Sequence, residues 1–334
     1  MSLRILRPGL LTTVQDLGRY GYQQDGIIVS GAADAAALRV GNLLVGNEEN
    51  AAGLEVTLLG PKIRFEADHL IALTGAHLSP TLNNQPVERN RAIWVAAGAE
   101  LAFGPAVAGC RAYLAVAGGV AVPLVLGSRA TYLRAVFGGL EGRALRTGDE
   151  LPVGAPSAIG TQLTQALAHP NRDWAAARFT PGSDLCPTPR PEPVIRAVRG
   201  PEYAQFSAGS QQAFWQEPFA VSTEADRMGC RLQGVRLARR IDTELLSSAV
   251  TFGTVQVPAD GQPIVLLADH QTTGGYPRLA QVISADLSAL AQLRPGQRLR
   301  FQEVTLAEAQ ALYLAQEARV RGLRRGIATV FGIK

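Results

Sequence analysis

Lysine is nearly absent from this chain: among 32 basic side chains only Lys62 and Lys334 are lysines. Schiff-base or phosphate-loop chemistry would have to rest on one of those two, and neither sits in a motif that such chemistry requires. Histidine is scarce as well, with His69, His77, His169 and His270 far apart. No HExxH, GxSxG, GxxxxGK[ST] or properly placed GxGxxG is present, so metalloprotease, α/β-hydrolase, P-loop and dinucleotide-binding signatures are missing. The three cysteines, Cys110, Cys186 and Cys230, are odd in number and show no CxxC spacing, which predicts free thiols rather than a disulfide framework or a zinc site. No metal site is expected.

Long apolar runs are missing too. The longest, Ala112 to Gly127, is shorter than a bilayer span and is broken by Gly118, Gly119 and Pro123, so no membrane span is expected. The start, MSLRILRPGLLTTVQD, lacks an apolar stretch of export-signal length, which makes the cytoplasm the expected location. The net charge of +4 is small, and the arginines are scattered among carboxylates apart from Arg319, Arg321, Arg324 and Arg325. That distribution does not predict a nucleic-acid partner.

What is present suits two globular domains. At 334 residues with 47% hydrophobic side chains, the chain exceeds one ordinary core. Eight of the 20 prolines fall between Pro152 and Pro193, and CPTPRPEP (186–193) reads as an extended linker. We therefore expect an N-terminal domain over 1–155, a Pro-rich connection over 156–193 and a C-terminal domain over 194–334 that ends in a helix. Short runs such as AIWVA, RAYLAVAGG, PVIRAVRG, FAVST, VTFGTVQVP, PIVLLAD, QVISAD and RLRFQEV are strand-like and separated by turn residues. With no long helices between them, they predict a mainly β fold of barrels or sandwiches with a few short helices. One helix is expected at about Ala33 to Val45, with Asp34 in its first turn. Another begins at Thr305, where Glu308 completes a capping box. Gly-x-x-Leu leads into a strand at Gly98, Gly148 and Gly296, suggesting a reused turn-plus-strand unit.

Polar loops carry the functional signal. Asp269, His270, Gln271, Thr272, Thr273 and Tyr276 lie within eight residues of one another, beside Gly274 and Gly275. Glycines let backbone approach a ligand while amide, hydroxyl and carboxylate groups supply oriented hydrogen bonds; an ordinary capped turn is the alternative. Asp260 and Gln262, in the turn PADGQP, are expected to face the same site. Asp226, Arg227 and Arg231 suit either recognition of a carboxylate or an ion pair around a tight turn. Towards the N-terminus, Ser30, Gly31 and Asp34 open the first helix, where a free helix end binds anions and an aspartate serves equally well as a local cap. Glu55 and Thr57 share one strand face, and Arg129 follows a strand at Gly127-Ser128.

Taken in order, PGLLTTVQDLGRYGYQ, SGAAD, LVGNEENAAGLEVTLLGP, GSRATYL, DRMGCRLQG and VQVPADGQPIVLLADHQTTGGYP span nearly the whole chain. Together they resemble the biotin-dependent carboxyltransferase-like family, also called allophanate hydrolase subunit 2 or KipI antagonist. The resemblance implies two cyclophilin-like β-barrel domains. It also implies one component of an ATP-dependent 5-oxoprolinase that hydrolyses 5-oxo-L-proline to L-glutamate with an A subunit and a KipI-like B subunit. ATP would be bound by, or shared with, another subunit, and no metal or covalent cofactor is implied on this chain. On that reading Asp34, Glu55, Asp269 and Gln271 are the expected catalytic groups. Arg129, Asp226, Arg227, Asp260, Gln262, Thr272, Thr273 and Tyr276 would hold the substrate. Family relatives in urea carboxylase move a carboxyl group to urea, and others antagonise a KipI-like kinase inhibitor, so these remain the alternatives.

Overall fold

A computed structural model describes residues 1–240 and 245–330. The chain divides into two compact units. The first comprises Met1–Arg19, Asp34–Thr188 and the chain from Ala318 onward; the second comprises Tyr20–Ala33 and Pro189–Glu317. The division at Thr188 and Pro189 falls inside CPTPRPEP.

The strands of the first unit form two six-stranded antiparallel sheets. One sheet runs Glu150–Pro152, Ser2–Arg7, Lys62–Phe65, Glu100–Ala102, Thr81–Leu82, Gln85–Pro86. The other runs Trp174–Ala176, Ala92–Val95, His69–His77, Ala108–Val116, Gly53–Thr57, Leu11–Gln15. Successive side chains of a strand point to opposite faces, and in the second sheet both faces are covered. Ile71, Leu73, Ile93, Val95, Leu114 and Val116 pack with Leu3, Ile5, Ile63 and Phe65 of the first sheet in one core. The alternate residues Leu70, Ala72, Ala92, Trp94 and Ala115 pack with Val40, Leu43 and Leu44 of the helix Ala35–Leu44, and with Val320, Leu323 and Ile327 of the last helix. Double burial explains why these strands read as continuous apolar runs rather than alternating ones. Each large aliphatic side chain so buried contributes about 1.5–3 kcal/mol.

The segment 156–193, expected to be connection, contains structure of its own. Ser157 caps a helix at Ala158–Leu167, and Trp174–Ala176 pairs with Ala92–Val95 as the edge strand of the second sheet. A three-residue edge strand shows too little alternation to be seen in sequence. Its pairing is supplied by the neighbouring strand.

The second unit is a closed seven-stranded barrel in the order Val194–Arg199, Arg278–Val282, Thr254–Gln256, Ile264–Leu266, Gly229–Gln233, Phe219–Val221, Arg298–Glu303. Parallel pairing of the last strand with the first closes it, which leaves those strands without free edges. Phe214 stacks on Phe301 at 4.4 Å within a core that also holds Phe206 and Phe219. The mainly β class and the barrel are thus as expected. The barrel lies in the second unit, and paired sheets occupy the first.

Local signals read from the sequence hold at specific atoms. Thr305 Oγ1 accepts from the Glu308 N–H at 3.2 Å, while Glu308 Oε2 accepts from the Thr305 N–H at 2.7 Å, capping the helix Leu306–Val330. Gly98, Gly148 and Gly296 all adopt positive φ, and Leu101, Leu151 and Leu299 three residues on are fully buried. Each glycine supplies the left-handed turn that drops the following leucine into a core.

Candidate functional site

In the first unit, register places a row of polar side chains across the apolar second sheet. Thr13 pairs with Glu55, Glu55 with Tyr113, and Tyr113 with Thr74. All four are buried. The Tyr113 phenol donates to Glu55 Oε2 at 2.7 Å and accepts from the Asp34 N–H at 2.8 Å. Burial, with the Glu55 and Asp34 carboxylates nearby, raises the phenol well above its ordinary 10.0, so it stays protonated and donating. Arg111 Nε lies 3.8 Å from Glu55 Oε1, supplying a cation beside the buried carboxylate.

Asp34 is the N-cap of the helix Ala35–Leu44, outside its first turn. Its Oδ1 accepts from the Ala37 N–H at 3.0 Å. The cap satisfies a backbone donor that would otherwise be orphaned at the helix end. Thr74 Oγ1 donates to the Ala37 carbonyl at 2.7 Å, so the start of this helix is fixed to the polar row at Asp34 and Ala37. Thr57, on the same strand as Glu55, is only half-buried.

Arg129 is placed next to Asp16. The Arg129 N–H donates to Asp16 Oδ2 at 2.6 Å, Ser128 Oγ donates to Asp16 Oδ1 at 2.7 Å, and Arg129 Nε donates to the Val122 carbonyl at 2.8 Å. These bonds brace a loop. Nearby, the fully buried Arg19 donates to the Ala130 carbonyl and lies 4.6 Å over the Phe137 ring.

In the second unit, Asp269 is the hub. Arg227 Nε donates to its Oδ2 at 2.9 Å, Arg227 Nη2 to its Oδ1 at 2.9 Å, and Ser30 Oγ to the same Oδ1 at 2.7 Å. Arg227 also donates to the Gly31 carbonyl at 2.6 Å. Both side chains of the pair are less than one-tenth exposed. A bidentate arginine fork fixes a carboxylate in direction as well as in charge. Ser30 and Gly31 reach this pair through consecutive left-handed residues, with φ of 56° and 89°.

From that hub the loop continues outward. The His270 Nδ1–H donates to the Gln271 carbonyl at 2.6 Å, and burial holds the imidazole below its ordinary 6.5, leaving it neutral. Gln271 Nε2 reaches Gln256 Oε1 at 3.4 Å, and Gln256 Nε2 donates to the Tyr276 carbonyl at 3.3 Å. Thr273 and Gly274 pair with Ala249 and Ser248, pinning the far side of the loop. Thr273 and Tyr276 are exposed, and Gln271 and Thr272 half-buried. This is a polar edge held on rigid supports.

Four residues singled out in the sequence lie elsewhere or have other partners. Asp260 and Gln262 sit in the turn before the strand Ile264–Leu266, whereas Asp269 follows that strand, so the strand separates them. Asp260 Oδ1 accepts from the Gln262 N–H at 3.0 Å, and Gln262 Oε1 accepts from the Gly234 N–H at 2.9 Å; both are turn contacts. Asp226 Oδ1 accepts from the N–H groups of Met228 and Gly229 at 2.8 and 3.0 Å, capping the turn that delivers Arg227. Arg231 is exposed beside Glu224, apart from the Arg227 pair. Nothing in the sequence alone singles out Tyr113, Thr74 or Gln256. Their only signal is a polar residue inside a strand-like run, and its meaning depends on register.

The two-sheet unit and the closed barrel together form a carboxyltransferase fold. Residues 25–303 match the family model for the carboxyltransferase domain, subdomain A and B, and the chain belongs to that family. Among its relatives, the 5-oxoprolinase C subunit of Escherichia coli (strain K12) is 45% identical over 92% of this chain and 93% of its own length. The protein of the same name from Haemophilus influenzae is 40% identical over 94% of each. Among solved structures, the K. lactis urea amidolyase superposes with a TM-score of 0.87 at 29% identity. That match covers 96% of this chain and 20% of the larger protein. No helix among the described residues is long and apolar enough to cross a membrane.

Proposed function

We propose that this chain is the C-type subunit of an ATP-dependent 5-oxoprolinase. It acts with an A subunit and a KipI-like B subunit to hydrolyse 5-oxo-L-proline to L-glutamate. The observation that carries this reading is the near-complete coverage in both directions of two chains named as 5-oxoprolinase C subunits. The urea amidolyase match, by contrast, takes in one-fifth of a much larger chain.

The loop of the barrel unit supports a substrate-holding role. A lactam presents a planar C=O and N–H, and Gln271, Thr272, Thr273 and Tyr276 offer carboxamide and hydroxyl groups of matching capacity. Asp269 and Arg227 are positioning residues on this reading. Both carboxylate oxygens are already occupied by arginine and serine donors, so Asp269 orients the loop rather than attacking. Asp34 and Glu55 act likewise in the first unit, one as a helix cap and one as the acceptor for Tyr113.

ATP is assigned to another subunit. The only lysine among the described residues, Lys62, pairs with Glu100 across neighbouring strands at 2.6 Å, so it is no phosphate-loop lysine. No step on this chain is drawn through the nucleotide. Cys110, Cys186 and Cys230 form no disulfide among the described residues.

Reconstitution of the A and B subunits with and without this chain, following ATP-dependent glutamate formation, tests the proposal. Turnover is expected only with the chain present. Combining Gln271→Ala, Thr273→Ala and Tyr276→Phe is expected to lower it at least tenfold. Unchanged turnover without the chain overturns the assignment, and biotin-dependent incorporation of labelled bicarbonate would favour the carboxyltransferase alternative.

A further inference from the structure

Gln256, the last residue of the strand Thr254–Gln256, is 1% exposed, and its carboxamide touches the loop from Asp269 to Tyr276 at two points. The two ends of that carboxamide are not interchangeable. Gln256 Nε2 donates to the Tyr276 carbonyl at 3.3 Å, and a carbonyl can only accept, so turning the amide over would set oxygen against oxygen. Gln256 Oε1 is thereby directed at the Gln271 side chain, from whose Nε2 it accepts at 3.4 Å. The same logic passes on by one step. Facing an acceptor, Gln271 must turn its NH2 group inward, and its Oε1 becomes the outer end of the relay. That oxygen has no hydrogen-bond partner among the described residues and is not buried, on a side chain that is itself half-buried.

Gly274 makes room for this arrangement. An ideal Cβ there would lie 2.6 Å from Gln256 Nε2 and 3.3 Å from Gln271 Nε2, so a side chain would push the two carboxamides apart. Its φ is not positive, so space rather than backbone freedom calls for glycine. The backbone on either side is held independently. His270 Nδ1–H donates to the Gln271 carbonyl at 2.6 Å, and Thr273 and Gly274 pair with Ala249 and Ser248. What these contacts leave open is the direction of the Gln271 carboxamide, and Gln256 sets it.

We propose that Gln256 is a positioning residue that fixes the polarity of this loop, turning Gln271 so that a carbonyl oxygen rather than an NH2 group is offered to a ligand. The loop then accepts an N–H at this point and opposes a ring oxygen, which would bring two acceptors together. The specificity half of this inference rests on the 5-oxoprolinase reading, under which the N–H is that of the lactam ring. The orientation half does not.

Nitrogen-15 side-chain amide spectra of the full-length chain test the orientation, with the Gln271 carboxamide assigned by its loss in Gln271→Glu. Gln256→Met is expected to shift those resonances. Because that change also strips the Tyr276 carbonyl of its donor, the second variant is Gly274→Ala, whose methyl displaces the Gln256 carboxamide without deleting a polar group. It is expected to shift the same resonances. In the reconstituted assembly, the lactone analogue of 5-oxoproline, with oxygen in place of the ring N–H, is expected to bind about tenfold or more weakly than 5-oxoproline, read as its inhibition constant against the KM. Both variants are expected to shrink that preference by about threefold or more. Gln271 resonances unchanged in both variants overturn the positioning role, and an undiminished preference in both overturns the specificity role. No turnover of 5-oxoproline by the wild-type assembly would instead overturn the 5-oxoprolinase reading and the specificity half with it, while the spectra still decide whether Gln256 orients Gln271.

Discussion

Tyr113 and Glu55 are directly opposed on adjacent antiparallel strands, and the phenol of one donates to the carboxylate of the other at 2.7 Å. The same oxygen of Tyr113 accepts the backbone N–H of Asp34, so one hydroxyl satisfies two buried groups from distant parts of the sequence.

Tyr113→Phe strands both groups at once. It is expected to cost about 1–3 kcal/mol per buried group left unsatisfied, read as a lower urea midpoint with an unchanged m-value. Alkaline behaviour should change as well. The folded phenol titrates well above 10.0, so the unfolded chain releases its proton first and stability falls as pH rises beyond about 10. The variant should lose part of that decline.

The Arg227–Asp269 pair predicts strong non-additivity. Asp269→Ala removes the bidentate carboxylate from a buried guanidinium and is expected to cost about 3–5 kcal/mol, whereas Arg227→Met with Asp269→Leu should cost much less than the sum of the single changes. A double-mutant cycle in urea measures this coupling. Additive losses would show that the pair does not hold the loop.

Acid should weaken the fold through its histidines. Burial lowers His69, His77 and His270 from their ordinary 6.5, so the unfolded chain binds protons first as pH falls. Stability is therefore full above about pH 6.5 and declines below it. Melting temperatures between pH 7.5 and 5 should fall, and His270→Gln should shallow the slope.

Asp260→Ala and Gln262→Ala provide a control for the site, because these residues serve the turn on the other side of the strand Ile264–Leu266. Turnover of the reconstituted assembly is expected to stay within about twofold of wild type, as for surface substitutions that touch no buried network. A tenfold loss would return them to the site.

Replacing Gly53 with alanine is expected to destabilise the first unit. An ideal Cβ there would lie 2.7 Å from the Leu114 carbonyl oxygen of the paired strand, a backbone atom that cannot swing aside. The expected loss is about 1–3 kcal/mol, the usual range for overpacking, measured by thermal unfolding.

The sequence by itself determined the local grammar. Short apolar runs bounded by glycine and proline, the Thr305 and Glu308 capping box and the Gly-x-x-Leu turns are consequences of propensity and nearest neighbours, and they hold in the structure. The loop from Asp269 to Tyr276 was visible for a similar reason, since so many polar side chains beside two glycines are locally unusual. What it could not reveal was partnership. Asp269 was legible as a carboxylate but not as one saturated by Arg227, 42 residues away, and Ser30, 239 residues away. Tyr113 looked like one aromatic in an apolar strand until register set it against Glu55 and Thr74. Trp174–Ala176 became a strand only because Ala92–Val95 offered it a free edge. Hydrogen bonds between strands and across a barrel depend on long-range register, and a one-residue slip reverses every facing side chain. Tertiary structure alone decides which polar groups meet and which face a ligand.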